Sequence, residues 1–216
     1  MKLSVKKLCV LAMLAAIAFI LSNTLYISIF PSAPFLKYEP KDVVITIGGF
    51  LYGPLASLLI GIVVSIPEVL FSGTGPIGCL MDVLSSCSFA CVAALLYKRR
   101  HTLAGAVSGL ALGSVLMVIA MLLWNWLVSP LYMGVERAVI ESMLLPIFLP
   151  FNLLKTGLNS ALVLFLYKPV VTALRKAGLV EAPTKNKGTS RLGIYLFAAV
   201  LLITCVLLIL VIKGIL

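Results

Sequence analysis

The sequence predicts an all-α membrane protein, a six-transmembrane-helix bundle with an additional C-terminal transmembrane helix. Three observations carry that expectation. Hydrophobic residues make up 62% of the chain and charged residues only 11%, a balance foreign to soluble domains. Apolar runs of about 20 residues, the length that crosses a hydrocarbon core, recur along almost the whole chain. These runs are continuous rather than alternating with period two, which excludes a transmembrane β-barrel in practice. The formal net charge of +10 therefore reads as basic flanking charge on cytoplasmic loops, with the lipid bilayer as partner and no nucleic acid.

The first run, about residues 5–22, follows Lys2, Lys6 and Lys7 and is read as an uncleaved span, because no small-x-small cleavage site precedes polar sequence. Ala12 and Ala16 lie four apart in it. Small residues at that spacing let another helix approach closely, either within the bundle or from a partner membrane protein. Residues 24–41 hold Pro31, Pro34 and Pro40 among several aromatics. This loop is too apolar to be solvated and is expected to fold back as a cap, with Phe30, Phe35, Leu36 and Tyr38 facing inward. Asp42 is read as the N-cap of a second segment, residues 43–52, which is short for a full span. Gly53-Pro54 breaks it, and a third segment (55–71) carries Pro67-Glu68 near its end.

A tight connection at 72–76 leads to a fourth segment (77–97) with Asp82 one turn in, closed by Lys98-Arg99-Arg100. The fifth (103–127) contains Trp124-Asn125-Trp126. Residues 133–145, with Glu136, Arg137 and Glu141, are read as a polar-flecked loop. The sixth segment (150–167) opens on Pro150, which suits a first helical turn. Asn152, Lys155 and Asn159 follow at spacings of three and four and share one face. A lysine at mid-depth costs roughly 2.5–3.5 kcal/mol on insertion scales, so a partner, a cavity or a ligand is expected; snorkelling of Lys155 and helix gluing by the amides is the bland alternative. Residues 168–191 read as a basic amphipathic tail and flexible linker. The last run, about residues 192–212, carries no polar site residue and is expected to face lipid at the periphery. The chain thus divides into a six-helix membrane domain (1–176), a basic cytoplasmic linker (177–191) and an additional hydrophobic helix (192–216).

Six spans bring the three basic clusters, at the N-terminus, at Lys98–Arg100 and after Lys168, to one side, and leave only Lys37, Lys41 and Arg137 on the other. This predicts a multi-pass cell-membrane protein with a cytoplasmic N-terminus. Glu68, Asp82, Asn125, Asn152 and Lys155 then gather at outer helix ends beneath the cap, describing an outward-facing pocket. Trp124, Trp126, Phe35 and Tyr38 could stack on a planar ligand, or the tryptophans could belong to an aromatic belt. Catalytic residues are not expected: there is no Walker A sequence, nucleophile elbow or HExxH. The alternative of another class is an intramembrane enzyme using Glu68 and Asp82 as acid and base. The five cysteines lie in apolar segments without CxxC spacing, so no metal is expected.

Several pieces carry a resemblance: Phe35-Leu36-Lys37-Tyr38-Glu39-Pro40-Lys41-Asp42 leading to Gly49-Phe50-Leu51-Tyr52-Gly53-Pro54; Trp124-Asn125-Trp126 with Pro130-Leu131-Tyr132; and Leu149-Pro150-Phe151-Asn152-Leu153-Leu154-Lys155. Over about residues 1–176 the chain resembles the substrate-binding S component of an energy-coupling factor (ECF) vitamin transporter, specifically the riboflavin-specific one. The resemblance implies a six-helix bundle that captures a flavin outside and delivers it by toppling against a transmembrane coupling subunit driven by two ABC-type ATPase subunits. Riboflavin would be the transported ligand, no cofactor is implied, and ATP would be used by the partners. An S component for another vitamin or precursor is the nearer alternative. By the same match Asn125, Asn152 and Lys155 fall on flavin-contacting positions, with Glu68, Asp82, Leu36, Tyr38 and Trp124 around them. Ala12 and Ala16 are similar to the alanine motif that docks onto the coupling subunit. The sequence departs where Glu68 and Asp82 replace expected amides and where a seventh apolar helix follows.

Overall fold

The structure is a computed structural model that describes residues 4–72, 75–180 and 192–216. The centre of the 72–76 connection and residues 181–191 of the expected 177–191 linker lie outside the described residues. Helix α1 (Val5–Thr24) opens at Ser4, whose Oγ accepts the Lys7 N–H at 3.4 Å, an N-cap bond. A short hairpin follows: β1 (Ile27–Ser28) pairs antiparallel with β2 (Lys37–Tyr38), Ile27 opposite Tyr38. Helix α2 (Lys41–Tyr52) stops at Gly53, whose φ of 93° suits glycine. Pro54 opens α3 (Pro54–Ser72). Helix α4 (Gly75–Arg100) carries Lys98, Arg99 and Arg100 in its last turn, where the helix dipole favours cations. Thr102 caps α5 (Leu103–Leu127) by accepting the Gly105 N–H at 3.1 Å. Then come α6 (Ser129–Met133), α7 (Arg137–Met143), a π-helical turn (Leu144–Phe148), α8 (Leu149–Lys176) and α9 (Leu192–Ile212). Pro146 within the π turn has no N–H to donate, which accounts for the locally altered ladder.

The chain is an all-α membrane protein apart from the hairpin. Among the described residues five helical stretches are long and apolar enough to cross a membrane: α1, α4, α5, the run Arg137–Lys176, and α9. α3 adds a shorter apolar stretch, Pro54–Val69. Helix α2 has 12 residues, about 18 Å at 1.5 Å per residue, against a core of about 30 Å. It therefore starts at depth rather than at an interface.

Several sequence expectations need correction. Asp42 does not cap α2. The helix begins at Lys41, the N-cap position is Pro40 with no side-chain bond, and Asp42 points inward, fully buried. Residues 133–145 are not a loop. Arg137–Met143 is helical, its residue types suit a helix, and Ile140 anchors it in the core. Helix α8 runs on past Tyr167 to Lys176 through Pro169, so the basic tail begins as part of the same helix. Of the cap residues, Phe30 and Tyr38 are buried and Leu36 is partly so, but Phe35 is 46% exposed.

The bundle has two chemically different ends. At one, the Gly53 turn lies beside Lys98, Phe50 stacks on Tyr97 at 4.5 Å, and the Tyr97 and Tyr167 hydroxyls meet at 2.9 Å. Between the ends α4 and α5 touch backbone to backbone. A Cβ on Gly109 would lie 2.7 Å from the Ala93 carbonyl oxygen, and one on Gly113 would lie 2.6 Å from that of Phe89. Small residues make that approach possible in lipid. The other end gathers the starts of α2, α4 and α8 with the ends of α3 and α5.

Helix α9 keeps a lipid-facing side, with Val200 and Ile203 largely exposed. It is nevertheless not only peripheral. Ala198 and Cys205 are buried, and Cys205 shares a core with Ile29, Phe30, Ala33 and Tyr38 of the cap and Phe151, Leu154 and Leu158 of α8. A helix without polar groups reads as lipid-exposed from sequence; the neighbour that covers one side of it is visible only in three dimensions.

A buried lysine–carboxylate site at the polar end

Because α2 begins at depth, its first two residues bring a cation and an anion into the bundle. Lys41 is 2% exposed. Its Nζ lies 2.6 Å from Glu68 Oε2, 2.9 Å from Asp82 Oδ1 and 3.0 Å from Glu39 Oε2. A charge removed from water is tolerated only when paired and hydrogen-bonded, and Lys41 meets that condition three times over. Ser65 on α3 also donates to Asp82 Oδ2.

A second cluster lies on the α8 side. Asp42 Oδ1 accepts from Ser86 Oγ at 2.5 Å, and its Oδ2 accepts from Asn159 Nδ2 at 3.3 Å. Lys155 Nζ stands 3.4 Å from the same Oδ2 and donates to Ser85 Oγ at 3.3 Å. The Tyr38 hydroxyl donates to Asn159 Oδ1 at 3.1 Å. Burial, reinforced by the Asp42 charge, pushes that hydroxyl well above the ordinary tyrosine range, so it remains a donor. Tyr38, Asn159 and Asp42 form a hydrogen-bonded chain from cap to core, which the ion pair from Asp42 to Lys155 extends.

The remaining sequence-predicted residues fall into different surroundings. Glu68 and Asp82 meet on Lys41; both are engaged in holding its charge, which suits an electrostatic cage better than acid–base work. Asn152 is buried but donates to the Phe148 carbonyl at 2.7 Å, on its own helix. One N–H of its side chain thus steadies the π turn, which leaves its second N–H and its Oδ1 unassigned. Asn125 is buried, donates to the Met121 carbonyl at 2.7 Å and accepts from Ser129 at 2.8 Å. Trp124 packs on the main core, and its Nε1 is buried with no hydrogen-bond partner among the described residues. Trp126 turns away: it donates to Glu141 at 2.8 Å beneath the Arg137 guanidinium. Leu36 packs with the cap core. Ala12 and Ala16 both lie on the exposed side of α1.

Lys41 and Asp42 belong to the site although sequence reasoning does not place them there. The sequence does contain a signal: an adjacent cation and anion opening a helix too short to span. Ser65, Ser85 and Ser86 carry none, since a serine in an apolar helix has no distinctive pattern.

Known proteins share this arrangement of helices. The model of the family "ECF transporter, substrate-specific component" matches residues 6–167. The chain is 30% identical over 178 residues to the riboflavin transporter RibU of Staphylococcus aureus (strain TCH60), covering 79% of this chain and 93% of that one. It is 29% identical over 164 residues to the riboflavin transporter FmnP of Bacillus subtilis (strain 168), covering 71% and 85%. A solved structure, described as the S component of a bacterial ECF transporter, superimposes with a TM-score of 0.67 at 27% identity, over 79% of this chain and 98% of that one. The matched stretch takes in both lysine clusters, and the chain belongs to the family of ECF transporter substrate-specific components.

Proposed function

We propose that this chain captures riboflavin at the outer face of the cell membrane for ATP-driven uptake. The observation that carries the reading is Lys155: it is buried, yet both of its partners lie at 3.3 Å or beyond. An ammonium has three donors, and these long contacts leave it able to take a ligand carbonyl or hydroxyl. Trp124, with an unpartnered buried N–H, supplies an apolar face and a further donor for a flavin edge. The relatives named riboflavin transporters support the choice of ligand. Basic residues concentrated at the Tyr97 end support a cytoplasmic N-terminus, with the lysine clusters facing outward.

The partners in this reading are a transmembrane coupling subunit and two ABC-type ATPases, with α1 as the docking face. Ala12→Trp combined with Ala16→Trp is expected to abolish uptake in cells while riboflavin affinity stays at the wild-type level. Ligand capture itself is tested on the purified protein. A yellow preparation that quenches added riboflavin fluorescence stoichiometrically is the expected result; a colourless protein that quenches none sinks the riboflavin reading. Competition by flavin mononucleotide then reports whether a phosphate is accepted.

A further inference from the structure

Helix α9 lies beyond the matched residues 6–167, yet it is seated in a specific notch. Gly157 is two positions from both Lys155 and Asn159, and so occupies the opposite side of α8 from the site. A Cβ there would lie 2.8 Å from Cys205 Sγ; α9 approaches because none is present. Farther along, Phe165 and Tyr195 stack at 6.0 Å, which sets α9 antiparallel to α8. From the notch α9 reaches the cap: Cys205 belongs to the same buried core as Ile29, Phe30, Ala33 and Tyr38, with Leu201, Leu202, Ile209 and Ile212 packed against it. Tyr38 in turn holds Asn159, which holds Asp42 beside Lys155.

We propose that α9 is a positioning element for the ligand site: seated at Gly157 through Cys205, it braces the cap from outside and so fixes Tyr38 over Asn159. Its work is done through packing, and it touches no ligand. A braced cap slows ligand escape, so the signature is a change in dissociation rate. The proposal rests on the riboflavin reading for that readout only.

Two measurements test it. In the full chain with Cys9, Cys79, Cys87 and Cys91 replaced by serine, Cys205 is the single thiol. Tyr38→Ala is expected to speed its alkylation by a membrane-permeant maleimide, without any ligand, because the cap core no longer covers it. Separately, Gly157→Leu is expected to raise the riboflavin dissociation rate about tenfold, the scale of an overpacked contact, with the association rate little changed. In a Tyr38→Phe background the same substitution should add less than it does to the wild type, and Gly157→Ala should be rescued by Cys205→Ala. Alkylation indifferent to Tyr38, or dissociation unchanged by Gly157→Leu in a protein that binds riboflavin, overturns the proposal. A wild-type protein that binds no riboflavin overturns the ligand reading instead, and the alkylation measurement still decides the role of α9.

Discussion

Lys41 and Lys155 are both buried cations at the same end of the bundle, and their surroundings differ in a telling way. Lys41 contacts three carboxylates at 2.6–3.0 Å. Lys155 has one carboxylate at 3.4 Å and one hydroxyl at 3.3 Å. Three close anions occupy all three donors of an ammonium, so Lys41 has nothing left to offer a ligand and serves to tie the cap, α2, α3 and α4 together. Lys155 is held in place without being saturated. Burial and charge therefore do not by themselves identify a ligand contact; the remaining bonding capacity does.

The largest expected effect breaks the Lys41 side. Lys41→Met leaves Glu39, Glu68 and Asp82 without their common cation, and removing one partner from a buried ionic cluster typically costs about 3–5 kcal/mol. Loss of monodisperse protein in fluorescence-detected gel filtration is expected, with partial recovery when Glu68→Gln and Asp82→Asn are added. A Lys41→Met protein as stable as wild type would erase the distinction between the two lysines.

Lys155→Met should behave differently. Asp42 loses its ion-pair partner but keeps its bonds from Ser86 and Asn159, so the loss of stability should be smaller than that of Lys41→Met, which strips three carboxylates of their common cation. Riboflavin affinity is expected to fall roughly ten- to a hundredfold, corresponding to the 1.5–3 kcal/mol of a hydrogen bond to a charged group. Titration calorimetry alongside circular dichroism checks both halves of that expectation; equal affinities would return Lys155 to a packing role.

Asn152→Leu sharpens the comparison further. One of its N–H groups is held by the Phe148 carbonyl and the group is uncharged, so its effect on affinity should be smaller than that of Lys155→Met, about tenfold or less. The smallest effect belongs to Tyr38→Phe, which deletes one neutral hydrogen bond to Asn159. About 0.5–1.5 kcal/mol is typical of such a bond, which predicts a several-fold faster riboflavin dissociation in stopped-flow quenching.

Much of this molecule is legible in its residues. Helix-length apolar runs and the Leu103–Leu127 helix follow from local chemistry, because a chain in lipid must satisfy its backbone within each segment. The crowding of Glu68, Asp82, Asn125 and Lys155 at one end follows from counting spans. Pairings do not follow. Whether Lys155 faces Asp82 or Asp42, or whether Asn152 faces a ligand or its own helix, depends on helix rotation of a few tens of degrees, and an apolar background carries no periodic signal that sets it. In water, a helix turns its one apolar stripe toward the core. In lipid, the core and the surroundings are both apolar, so the stripe no longer says which side faces in.

By itself, then, the sequence determined the class, the places of the long apolar runs and the polar end, since hydropathy and length act locally and leave few alternatives. Tertiary structure alone decided three things: that the brief α2 helix carries Lys41 and Asp42 into the core, that Lys41 is saturated where Lys155 is not, and that α9 closes on Gly157 against the cap. Each depends on atoms far apart in the chain meeting within about 3–4 Å, the range over which hydrogen bonds and close packing act.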